Sequence, residues 1–249
     1  MVLTLGLVIS TLTTVGGNEL ESLLPPLNPH PLPSSLQNWQ IQTEWGDYFP
    51  EIEPTIVGYL TWSQFPIQVY IERPQQPIDT SNFSQLRWQQ WVEAVKTAVA
   101  DWNQYLPLTA VKTPTNADII IKRTHPPLKA QINPQTGLYD LPRAKSAQTR
   151  YQFYVSEGES PLLLHRMTID ISPVQTNDYI LAATRHELGH ALGIWGHSNQ
   201  KTDIMYFSQV RNSPPISPRD INTLKKIYQQ PTRLGWSVNT ARLGSSVLW

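Results

Sequence analysis

His186-Glu187-Leu188-Gly189-His190 sets two imidazoles and a carboxylate within one short stretch. On an α-helix, residues four apart differ by only about 40° in azimuth, so His186 and His190 project from one face and can meet one metal ion. Glu187 lies about 100° round from His186, close enough to reach a water on that metal without becoming a ligand itself. Neutral imidazoles suit Zn2+ and a carboxylate in this position suits a general base, so the pattern reads as metal-assisted hydrolysis. The competing reading is an exposed helix face on which two of the six histidines fell into register. Chance produces such a match in on the order of one chain in a hundred or fewer.

A catalytic zinc needs a third protein ligand and one open position. His197 and Asp203 are the nearest candidates in sequence, and zinc's preference for imidazole favours His197. Gly193 and Gly196 bracket Ile194 and Trp195, and glycine lets a backbone take positive φ at little steric cost, so an extra residue can be absorbed as a bulge. Trp195 would then turn away from the metal, toward the core or the cleft wall.

The elements that must position these groups are legible from periodicity. Phe65 to Glu72 alternates as a half-buried strand, and a helix is expected from Ser81 to Tyr105, stopped by Pro107. Leu108 to Val111 and Asp118 to Lys122 read as short strands, the second apolar enough for a sheet interior. Thr124 to Gln148 reads as a long loop, Arg150 to Val155 and Met167 to Ile171 as further strands. The histidine helix should start at Asn177 or Asp178 and end at Gly193. A last helix is announced by the cap Ser217 with Pro218 after it, and runs to Tyr228. Strands interleaved with helices in this order imply an α+β domain with helices packed on a sheet.

Nineteen basic residues balance nineteen acidic ones, and no run of one sign recommends a nucleic acid or an anionic membrane as partner. With no cysteine, neither a disulfide framework nor a thiolate metal site can form. Met1 to Gly17 has the length and texture of a signal segment, too short for a stable span, although it lacks a basic start. Export to a periplasmic or extracellular space is the expectation, with a cytoplasmic chain as the alternative. Residues 18–60 include the proline-rich stretch Leu24 to Pro33 and read as a linker or wrapping arm. The domain proper is expected over 61–230, with a tail over 231–249.

Three stretches together resemble the metzincin clan of zinc endopeptidases, and within it the matrixins: His186 to Gly193 (HELGHALG), Gly196-His197-Ser198, and Met205-Tyr206. Ala117 to Ile121 is similar to the family's third strand, and Ser217 to Ile221 to its C-terminal helix. The resemblance, extended over Trp62 to Tyr228, implies a twisted, mostly parallel five-stranded sheet with three helices and a cleft along an edge strand. It implies Met205 as a floor beneath the metal and a side-chain pocket walled by Tyr206, Phe207 and Val210. It also implies a protein or peptide substrate that adds as a strand along Arg150 to Val155.

The sequence departs from the family in four places. His197 comes one residue later than the family's third histidine, and Phe207 stands where proline is usual. The latency cysteine is absent. The His-x-Asp loop and clustered acids of the extra metal sites are not found between Thr124 and Ser172, which leaves His125 and His165 as ordinary surface or cleft histidines. A non-catalytic peptide-binding module stapled by zinc is the rival from another class, although a purely structural site needs a fourth ligand and has no use for a free Glu187. A hydrolase acting on a non-peptide bond is a second rival.

Overall fold

The computed structural model describes residues 24–74, 79, 81–127, 131–132, 135, 139–140, 145–208, 210 and 212–238 of the chain. The signal segment and the last residues of the tail fall outside them. Among the described residues, no helix is long and apolar enough to cross a membrane.

Alternation in Ile67–Ile71 (β1) buries Ile67, Val69 and Ile71 on one face. A helix over Phe83–Trp102 (α2; a short α1 spans Ser34–Asn38) follows, capped by Asn82, whose side chain accepts from the N–H groups of Ser84 and Gln85. It buries Trp91, Val92, Val95, Ala98 and Trp102. Strands Leu108–Val111 (β2) and Ile119–Lys122 (β3) come next, then the two-residue strands Gln131–Ile132 (β4) and Tyr139–Asp140 (β5). Ala147–Val155 (β6) and Leu163–Ile171 (β7) precede the helices Asn177–Ala191 (α3) and Pro218–Tyr228 (α4).

The main sheet has the order β2-β1-β3-β7-β6. All its neighbours are parallel except β6 with β7, which pair antiparallel from Ala147↔Ile171 to Val155↔Leu163. The fold is therefore the α+β arrangement with a mostly parallel five-stranded sheet, with β6 as an edge strand. Helix α2 packs over β1 and β2, α3 over β6 and β7, and the two helices pack on each other. Trp102 Nε1 donates to Arg185 O at 2.8 Å and Arg185 pairs with Asp101 at 2.7 Å, tying the histidine helix to α2.

Three details differ from the sequence reading. Helices α2, α3 and α4 are the three expected of the domain, and the short α1 lies outside it, in the arm. Helix α3 is capped by Thr176, whose hydroxyl accepts from Tyr179 N–H, so neither Asn177 nor Asp178 caps it. The stretch Thr124 to Gln148 is not all loop: β4 and β5 pair within it, and β6 begins already at Ala147. His165 is neither a surface nor a cleft histidine. It is 3% exposed, lies under Trp62 with ring centroids 3.9 Å apart, and burial pulls its pKa down to about 3. Strand alternation buries it: residues 163, 165, 167, 169 and 171 all face inward. His125, in contrast, is exposed.

Residues 24–60 lie against the domain. Leu36, Tyr48, Ile52, Val57 and Leu60 are buried in the common core, as are Leu234 and Val238 beyond α4. Asn28 and Thr232 exchange backbone hydrogen bonds, and the α4 side chains Asn222, Lys225 and Lys226 bond the arm at Gly46, Trp39 and Asp47.

Candidate active site

Helix α3 brings His186 and His190 onto one face, and the chain that leaves it returns His197 to them. One ligand atom from each of the three imidazoles lies within 4.8 Å of the others, the one such cluster among the described residues. His186 Nδ1 is 2.8 Å from Ile204 O, and His190 Nδ1 is 2.8 Å from Ile194 O. A carbonyl can only accept, so Nδ1 carries the proton in both rings, and in the neutral ring the lone pair is then on Nε2. Burial first, and then electrostatic coupling to the neighbouring His186 and His197 rings, holds His190 well below the usual histidine range. Burial and then His186 lower His197 to about 4. Neutral imidazoles are the ligand form that zinc requires, so this donor set fits the ion.

Local backbone chemistry explains the return of the chain. Side chains from elsewhere bind the last carbonyls of α3: Trp62 Nε1 donates to Ala191 O at 2.9 Å and Tyr228 Oη to Leu192 O at 3.0 Å. Gly193 follows with φ of 124°, a conformation that disfavours any side chain. Positive φ occurs at Gly193 and not at Gly196. Gly196 is needed for space: a Cβ there would sit 2.2 Å from Glu51 O on the arm. Trp195, half-buried, lies on the cleft wall, its ring 5.6 Å from His190 and 5.1 Å from Tyr151 of β6.

Met205 is fully buried, and its Sδ would be 2.2 Å from a Cβ on Gly189, between the two helix histidines. Ser198 N–H donates to Met205 O at 2.8 Å, which folds the Met205 turn back beside His197. Asp203, the other candidate ligand, is committed elsewhere. It is 1% exposed and accepts from Ser198 Oγ, from Ser217 Oγ at 2.7 Å and from Arg219 Nε at 2.9 Å.

Glu187 is buried at the same spot. Thr149 Oγ1 donates to its Oε2 at 2.6 Å. Burial raises the Glu187 pKa, against the opposing pull of His186 and of the Thr149 hydrogen bonds. Two cavities meet here. One, of about 760 Å3, runs from His186 and Glu187 between α3 and the segment after Met205, with Tyr206, Phe207 and Val210 in its wall. The other, of about 800 Å3, lies across all three histidines, with Thr149, Trp195, Glu51 and Phe207 around it. Phe207 stands in both walls and is 63% exposed.

Residues 143–229 match the model of the matrixin family, a peptidase family. Over this segment the chain is similar to the matrixins. The matched segment is shorter than the span Trp62 to Tyr228; it begins just before β6 and takes in the three histidines, the Met205 turn and α4. This match supports a zinc-metallopeptidase function in general and a protein substrate with it. A comparison with curated proteins finds no match.

The matrixin-like site also contains parts that the sequence reading did not single out. Thr149 falls one residue before the expected strand. The carbonyls of Ile194 and Ile204 carry no side-chain signal at all. The contact of Gly196 with the arm joins segments far apart in sequence, and only the unusual glycine beside His197 hinted at it.

Proposed function

We propose that the chain is a zinc-dependent endopeptidase in which His186, His190 and His197 hold the metal and Glu187 is the general base. The observation that carries this reading is the pair of Nδ1–H···O=C bonds at Ile204 and Ile194, which leave two Nε2 lone pairs beside His197. Zinc, when bound, supplies the Lewis acidity that acidifies water and offsets charge developing on the substrate carbonyl. Glu187 takes the proton of the attacking water on a carboxylate oxygen and later returns it to the leaving amine. Its elevated pKa suits both halves of that transfer. Thr149 holds the carboxylate in place through Oε2. An extended peptide would add to the free edge of β6, and a side chain beside the scissile bond would enter the cavity walled by Tyr206, Phe207 and Val210. Export directed by Met1 to Gly17 belongs to the same reading, with a mature start near Asn18.

The test is Glu187→Gln, assayed for bound zinc and for cleavage of a peptide library. Retained zinc with a rate lower by several orders of magnitude is expected, because the base is lost and the ligands remain. Near-normal turnover would remove Glu187 from the mechanism. A parent protein that binds zinc and cleaves no peptide would refute the endopeptidase reading.

A further inference from the structure

His186 and His190 are each fixed by a side-chain hydrogen bond to a carbonyl, whereas His197 lies on an exposed turn and is fixed through its backbone neighbours. On one side, Ser198 N–H is held by Met205 O. On the other side, the contact comes from the N-terminal arm. Ile52 and Gly196 form an antiparallel bridge, and Glu53 N–H donates to Trp195 O at 3.3 Å. The approach is close enough that a single added methyl on Gly196 would overlap Glu51 O.

The arm is itself anchored at this point. Tyr48 Oη donates to Asp220 Oδ1 at 2.7 Å, Tyr48 N–H to Thr223 Oγ1 at 3.0 Å, and Ile52 is 5% exposed. Asp220 Oδ2 in turn accepts from Ile204 N–H at 3.1 Å, and Ile204 O is the acceptor for His186. One face of α4 thus supports both the arm and the backbone behind another histidine.

We propose that the arm segment Glu51 to Glu53 is a positioning element for His197. Its backbone clamps Trp195 and Gly196, so that the longer histidine loop presents the next imidazole at the metal position. Without the clamp, the backbone on either side of His197 would be held at Ile194 and Ser198, with the Trp195 ring resting on Tyr151, and His197 would sample more positions. The lost pre-organisation would appear as weaker metal binding. This inference rests on His197 being a zinc ligand.

The test uses the full chain, with zinc affinity read by chelator competition, the visible spectrum of the cobalt-substituted protein, and the thermal midpoint of the metal-free form. Gly196→Ala pushes a methyl into Glu51 O. Glu53→Pro removes the clamping N–H and changes nothing in the histidine loop; the extended backbone of Ile52 suits a following proline. Glu53→Ala keeps that N–H. Zinc affinity lower by about tenfold or more, with an altered cobalt spectrum, is expected for Gly196→Ala and Glu53→Pro, and parental behaviour for Glu53→Ala. Should Gly196→Ala fail to fold, the Glu53 pair decides alone. Parental zinc affinity and cobalt spectrum in Glu53→Pro, whatever its thermal midpoint, would overturn the proposal. His197→Ala separates the two levels: if it binds zinc like the parent, the ligand assignment itself fails; if it loses zinc while Glu53→Pro does not, only the clamp fails.

Discussion

Thr149 Oγ1 lies 2.6 Å from Glu187 Oε2 and 2.9 Å from the carbonyl oxygen of the same residue. One hydroxyl on the edge strand thereby touches both the carboxylate and the backbone of the histidine helix. The carboxylate is largely buried, so this donor stabilises its charged form against the cost of burial.

Replacing Thr149 by Val keeps the shape and removes the donor. A hydrogen bond to a charged group contributes about 1.5–3 kcal/mol, which corresponds to roughly one to two pH units. With Glu187 as the proposed base, loss of the bond raises its pKa, so the acid limb of kcat/KM should move to higher pH, with zinc content unchanged. Thr149→Ser should restore the parental profile. An unmoved acid limb in Thr149→Val would separate Thr149 from the control of Glu187.

Gly189 is expected to reject any side chain because Met205 Sδ occupies the space. Gly189→Ala should cost about 1–3 kcal/mol through overpacking. Met205→Ala should cost about 2–5 kcal/mol through the cavity it leaves. The double variant should be less destabilised than the sum, since the methyl then has room. Urea unfolding of all four proteins measures this coupling, and simple additivity would disprove the contact's role.

His197→Ala and Asp203→Ala should fail in different ways. The first should lose zinc affinity while the metal-free fold keeps its stability. The second should keep zinc and lose stability by about 3 kcal/mol or more, because it leaves Arg219, Ser198 and Ser217 without their buried acceptor. Zinc loss confined to Asp203→Ala would reverse the assignment.

His165 gives the chain an acid sensitivity of defined sign. Its folded pKa is about 3, against 6.5 for the exposed side chain. The unfolded chain takes up the proton first as pH falls, so stability is full above about 6.5 and declines from there toward pH 3. The decline attributable to this one group is on the order of 4 kcal/mol. His190 and His197 act in the same direction, so the measurement is the difference between the parent and His165→Phe. Denaturant unfolding from pH 7 to pH 4 should show a shallower slope in the variant; equal slopes would mean that His165 is protonated in the fold.

The sequence by itself determined that His186, Glu187 and His190 share one helix, and the order of the main elements around it. The separation of His186 from His190 is a consequence of helix pitch; β1 announces itself through alternation, β3 through its apolar run and α4 through the Ser217-Pro218 cap, whereas β4 and β5 carried no such signal and α2 ends at Trp102, before the expected Tyr105. The legible signals are local, complete within one or two turns of chain. Tertiary structure decided which other groups meet that face. His165 went inside because its strand is covered by Trp62; Asp203 was taken by Ser198, Ser217 and Arg219; Thr149 reached Glu187 because β6 passes along α3. Gly196 acquired its reason only when a backbone from residues 51–53 came to rest against it. Contacts of this kind depend on how separate segments pack in space, and a carbonyl oxygen or a missing Cβ leaves no periodicity from which that packing could be read.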